Sequence, residues 1–119
     1  MNDFARISAA VTEYVRDYIR ALRRRKLSYQ KIGQRLQISH VWVMQLDKPQ
    51  QYGKRNAGPE LEYRLAELLH GGSIDALRKA ALHLASGGNV VVEHDGMPLE
   101  LSPSEPNSRT AARRPAKAR

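Results

Sequence analysis

His40, Val41, Met44 and Gln45 recur three and four residues apart, the spacing that keeps side chains together on one helix face. They are uncharged groups of the kinds that meet a base edge. A Gln amide can bond adenine N6 and N7 together, a branched apolar side chain can pack on a thymine methyl, and an imidazole can donate to a base or a phosphate. Solvated His40 and a flanking Met44 are the plainer readings of those two positions. Hydroxyls and cations lie around the four: Ser28, Tyr29, Lys48, Lys54 and Arg55. Such groups hold phosphate oxygens and fix register without reading sequence. The other common chemistries find little material here. The 119-residue chain contains no cysteine, so disulfides and thiolate metal sites are excluded. His70, His83 and His94 stand apart with no His at i+4, so no metal site is expected. No paired carboxylates and no Gly-rich phosphate loop are present, so neither an enzyme nor a cofactor is expected.

The elements that would position these residues follow from periodicity and capping. Phe4, Ile7, Val11, Tyr14, Val15, Tyr18, Ile19 and Leu22 form the apolar stripe of a helix over about 3–25. It ends in Arg20, Arg23, Arg24, Arg25 and Lys26. That run is either a solvated helix end favoured by the macrodipole or a phosphate-contacting surface, and both readings stay open. Ser28 is an N-cap for a second helix over about 28–37, and Ser39 for a third over about 39–47. Ile32, Leu36, Ile38, Val43 and Leu46 would lock these two together, with Trp42 packing beside them and Gly33 as the small residue where they cross. Pro49 follows the third helix and opens a turn-rich loop over 49–58. Helices are expected over about 59–70 (Leu61, Leu65, Leu68, Leu69) and about 74–86 (Ile74, Leu77, Ala81, Leu82, Leu84), each ended by a Gly-Gly pair.

Asp95-Gly96 sits between two alternating apolar runs, a strong hairpin signal. A two-residue turn pairs His94 with Met97, Glu93 with Pro98, Val92 with Leu99 and Val90 with Leu101. Val90, Val92, Met97, Leu99 and Leu101 then share a face that must cover the helices or meet a partner. Pro98 lacks an N–H, which makes its strand the outer edge and leaves the 90–94 strand free to pair. The expected organisation is a helical domain over 1–88, a hairpin over 89–101 that packs or dimerises, and a disordered basic tail over 102–119 that includes Arg113 and Arg114.

Net charge is +8, and it is unevenly distributed. Residues 20–55 carry ten basic side chains against the single acid Asp47, whereas 56–101 carry three basic and seven acidic. The positive footprint therefore coincides with the paired short helices and the tail, the pattern of a polyanion-binding surface. No stretch approaches the ~20 apolar residues needed to span a bilayer, so a soluble cytoplasmic protein without a membrane partner is expected.

Residues 27–49 resemble, without a gap, the helix-turn-helix of the lambda-repressor-like (Cro/C1-type) DNA-binding domains. In that pattern a Ser or Thr, a Gln-like residue and a small residue lead into the first helix of the pair. A Leu, a Gly, a β-branched residue and a Ser follow, then an apolar pair and an acid. Here these places are taken by Ser28, Tyr29, Gly33, Leu36, Gln37, Ile38, Ser39, Val43, Leu46 and Asp47. Gln37 stands where Gly is usual, at a positive-φ turn position, a departure costing on the order of 1 kcal/mol. Gly33 stands where Ala is usual, and Tyr29 where a phosphate-contacting Gln is frequent.

The resemblance implies a mainly α, five-helix fold across about 3–86, with the hairpin and tail outside it. It also implies sequence-specific double-stranded DNA binding by a bacterial or phage regulator of repressor type, and homodimers on two-fold half-sites. The hairpin is the favoured dimer surface, ahead of the long first helix. The alternative is an autoregulating antitoxin, or another interaction module that grips a protein partner through the 89–101 hairpin. A non-specific nucleic-acid coat would show salt-sensitive binding without sequence preference.

Overall fold

A computed structural model describes residues 3–53 and 56–101. The side chain of Phe4, residues Lys54 and Arg55, and the expected tail over 102–119 lie outside the described residues. The elements run α1 Asp3–Arg24, α2 Tyr29–Leu36, α3 His40–Asp47, α4 Pro49–Tyr52, α5 Gly58–Leu69, α6 Ile74–Ala85, β1 Val90–His94 and β2 Met97–Leu101. The chain is mainly helical, with one antiparallel hairpin.

The first helix is the axis of the molecule. It touches α2, α3, α5, α6 and β2. Val11, Tyr14, Val15, Tyr18, Ile19 and Leu22 of the expected stripe are buried, together with Ala10 and Ala21. Leu61 and Leu65 of α5 and Leu77, Ala81 and Leu84 of α6 join the same core, whereas Leu68 is exposed. Burying one such aliphatic side chain contributes roughly 1.5–3 kcal/mol, so this cluster is the main reason the short helices stay in place. Thr12, also buried, accepts a 3.1 Å hydrogen bond from the Ala57 amide where the chain enters α5.

Two helices end on a left-handed residue that is not glycine. At the end of α1, Leu27 N–H donates to Leu22 and Lys26 N–H to Arg23, with Lys26 at φ 74°. At the end of α2, Ile38 N–H donates to Gly33 and Gln37 N–H to Gln34, with Gln37 at φ 59°. Both are Schellman closures carried by a residue with a Cβ. The positive φ expected at Gln37 is therefore present, and Lys26 repeats the feature one helix earlier.

The hairpin pairs in the expected register, from Val90↔Leu101 to His94↔Met97. Asp95 and Gly96 both have positive φ, as a type I′ turn requires. Its apolar face is closed by the chain's own helices: Val92, Leu99 and Leu101 belong to the core, and His94 on the same face is buried too. Met97, assigned to that face by alternation, is 58% exposed because it lies at the tip. Side chains from α2 and from just past α1 latch the hairpin. Arg35 Nη2 lies 3.3 Å from Asp95 Oδ1, and Arg25 Nη2 donates to the Pro98 carbonyl at 2.7 Å.

The interval after α3 departs from expectation. Within the 49–58 loop, Pro49–Tyr52 forms a single helical turn with Pro49 in its first positions. Pro49 thus ends one helix and starts another, because its missing N–H is harmless in a first turn. The described residues accordingly hold six helices where five were expected.

Candidate nucleic-acid interface

Residues 28–48 build a rigid pair of helices from local chemistry. The Ser28 hydroxyl accepts from Lys31 N–H at 3.1 Å and caps α2, and the Ser39 hydroxyl accepts from Trp42 N–H at 3.2 Å and caps α3. Ile32, Gly33, Leu36, Val43 and Leu46 are buried, and Ile38 and Trp42 are half-buried against them. The expected locking set is therefore brought together. At Gly33 a Cβ would stand 2.7 Å from the Ile38 carbonyl oxygen, a backbone atom that cannot swing away. The glycine is what lets the turn fold back onto α2.

The far end of α3 is held by α1. Arg16 Nε donates to the Leu46 carbonyl at 3.0 Å, and Arg20 Nη2 to the Asp47 carbonyl at 2.9 Å. These guanidinium groups satisfy carbonyls that a helix C-terminus leaves open and complement its partial negative charge. The Asp47 carboxylate, 8% exposed, accepts from the Tyr29 hydroxyl at 2.6 Å, and Arg20 Nε lies 3.4 Å from its other oxygen. Burial, followed by the hydrogen bond to Asp47, pushes the Tyr29 phenol up to about 12. The Arg23 guanidinium sits 4.2 Å over the Tyr29 ring. A chain of contacts thus runs from α1 through Tyr29 and Asp47 to α3. Arg16 and Arg20 lie 27 and more residues from their α3 partners, and no sequence pattern announced them.

The residues expected to meet bases occupy different environments. His40 is exposed and Val41 is 49% exposed, both on the first turn of α3. Met44 is half-buried. Gln45 is half-buried as well, its Nε2 donating to the Tyr52 carbonyl at 3.3 Å while Oε1 is buried without a partner among the described residues. The amide therefore braces α4, and it meets a base only by releasing Tyr52. Among the residues expected to meet phosphate, Ser28 and Lys48 are exposed, at the start of α2 and the end of α3. Tyr29 has its hydroxyl committed to Asp47, and Lys54 and Arg55 lie outside the described residues.

The positive footprint divides in the same way. Arg20, Arg25 and Arg35 hold α3 and the hairpin, whereas Lys31 and Lys48 are exposed. An uncharged patch at the start of α3, with exposed cations on α2 and after α3, can take up a polyanion whose bases are accessible. Among the described residues no three His, Asp or Glu side chains group to hold a metal ion, and no helix is long and apolar enough to cross a membrane. No family model matches the chain, and neither a curated protein nor a solved structure matches it.

Proposed function

We propose that this protein binds double-stranded DNA sequence-specifically, as a transcriptional regulator of repressor type, with α2 and α3 as a lambda-repressor-like helix-turn-helix. In this reading α3 enters the major groove, while α2 lies across the backbone. The observation that carries it is the first turn of α3: His40 and Val41 are exposed and uncharged, on a helix fixed at both ends, by the Ser39 cap and by Arg16 and Arg20. A reading helix must be held rigidly, because a loosely held side chain cannot discriminate base edges. Ser28, Lys31 and Lys48 take phosphates around it, joined by Lys54 and Arg55. The basic segment over 102–119 adds non-specific electrostatic attraction. The rival reading, a module that grips a protein through an apolar hairpin face, loses its main support because that face is buried against the helices.

The test is selection of bound duplexes from a random library at a stated salt concentration. Enrichment of one short sequence is expected, with affinity at least ~10³-fold above that for scrambled DNA. Uniform, salt-sensitive recovery of all sequences would leave only a non-specific coat.

A further inference from the structure

We propose that two copies of this chain pair through the outer edge of β1, antiparallel about a two-fold axis at Val91, forming a four-stranded sheet. The hairpin has two edges, and the structure closes one of them. A type I′ turn makes His94↔Met97 a hydrogen-bonded pair, and such pairs alternate along an antiparallel ladder. Glu93↔Pro98 and Val91↔Glu100 are therefore the non-bonded pairs, whose backbone groups point away from the partner strand. On β2 the outward position at residue 98 is a proline with no N–H, and its carbonyl already accepts from Arg25 Nη2 at 2.7 Å. That edge is left with the outward groups of Glu100 alone, too short a run to extend the sheet. On β1 the outward amides and carbonyls belong to Val91 and Glu93, and neither residue has a further backbone bond among the described residues. Val91 is also 63% exposed, on the face of the sheet opposite the core.

A second copy of the chain fits this edge better than an unrelated strand for two reasons. With Val91 opposite Val91 of the second copy, each outward N–H meets an outward carbonyl, and the two exposed valines cover one another. Glu93 then faces Asn89 of the second copy, so no like charges stand opposite each other; a two-fold at Glu93 would place two carboxylates together. Because only one edge among the described residues is open over successive outward positions, the assembly closes at two copies and does not propagate as a fibre. The pairing does not depend on DNA binding, and it leaves the core face of the hairpin docked as observed.

Mass in solution across a dilution series, without DNA, is the direct experiment, with Val91→Pro as the main variant. The Val91 N–H takes no part in the intramolecular ladder, so proline there removes only the contact to the second copy. The native chain is expected at twice its 13.4 kDa mass. Val91→Pro is expected at the single mass with unchanged circular dichroism, and Glu100→Pro on the closed edge is expected to remain double. Should Val91→Pro fail to fold, Val91→Lys is expected to give the single mass. A native chain of single mass at every concentration would overturn the proposal, as would a folded edge variant that keeps the double mass. Slow hydrogen exchange at Val91 and Glu93 in a chain of single mass would place the chain's own 102–119 segment on the edge, and would also overturn it.

Discussion

Gln37 and Gly33 stand four residues apart and pull in opposite directions on what a sequence suggests. Gln37 sits at φ 59°, where a Cβ crowds the following carbonyl. Gln37→Gly is expected to raise stability by about 1 kcal/mol, read as a shift in urea midpoint with unchanged slope. Gly33→Ala looks favourable on helix propensity alone, a gain of roughly 0.5–1 kcal/mol. The 2.7 Å approach to the Ile38 carbonyl outweighs it. Net destabilisation of ~1–3 kcal/mol is expected in the same titration, as for other overpacked sites. The cost at Gln37 was legible from the turn position, but the need for glycine at 33 was only partly so, because it depends on how far the turn folds back. Gln45 is weighed similarly. Giving up its bond to Tyr52 forfeits about 0.5–1.5 kcal/mol, whereas a bidentate adenine contact returns about 1–3 kcal/mol. Release is favoured, so Gln45→Ala is expected to relax choice at one base pair of the selected site. Equal weakening on every sequence would instead make it only a brace for α4.

At the scale of elements, the hairpin was the most legible part. Asp-Gly demands the turn, the turn fixes the register, and alternation follows. What the face covers is a tertiary matter, and there the sequence left packing and dimerisation open together. The short α4 was missed because a run of Pro, Gln, Tyr and Gly reads as a loop, and the brace from Gln45 is a side-chain contact across seven residues. The histidines of these elements set a pH dependence. His94 is buried under the hairpin beside Arg35 and Arg25, and His70 is half-buried, sharing a 2.9 Å hydrogen bond with the Tyr14 hydroxyl. Burial lowers both imidazoles from 6.5, with the Arg35 charge adding to the effect at His94. The unfolded chain therefore binds protons first as pH falls. Their contribution is fully present above 6.5 and is lost as pH drops from there through the lower folded values. Thermal midpoints are expected to fall between about pH 7 and pH 5, with a smaller drop in His94→Gln; an unchanged slope in that variant would remove His94 from the account.

Across the whole molecule, net charge told less than its placement. The segment 20–55 looked uniformly basic, yet Arg20, Arg25 and Arg35 are bonded to α3 and the hairpin. The side chains that order the proposed helix-turn-helix thus differ from those that would meet phosphate. Lys48→Ala is expected to lower the salt slope of DNA binding by about 1 while leaving the fold intact. Arg20→Ala is expected to lower stability instead, because it removes a donor from the Asp47 carbonyl and the nearby cation from its carboxylate. The two-helix core and its caps were readable because they are local, with spacings of three and four. The clamp from α1 was not, because it joins segments distant in the chain.

Side-by-side selection from one random duplex library, using the native chain, the His40→Ala/Val41→Ala double variant and Lys48→Ala, tests the central claim most directly. The native chain and Lys48→Ala are expected to enrich the same sequence, the latter with weaker binding. The double variant is expected to lose preference at adjacent base pairs while keeping the rest of the site. An identical enriched sequence from all three proteins, or none from any, would contradict the assignment of α3 as the reading helix.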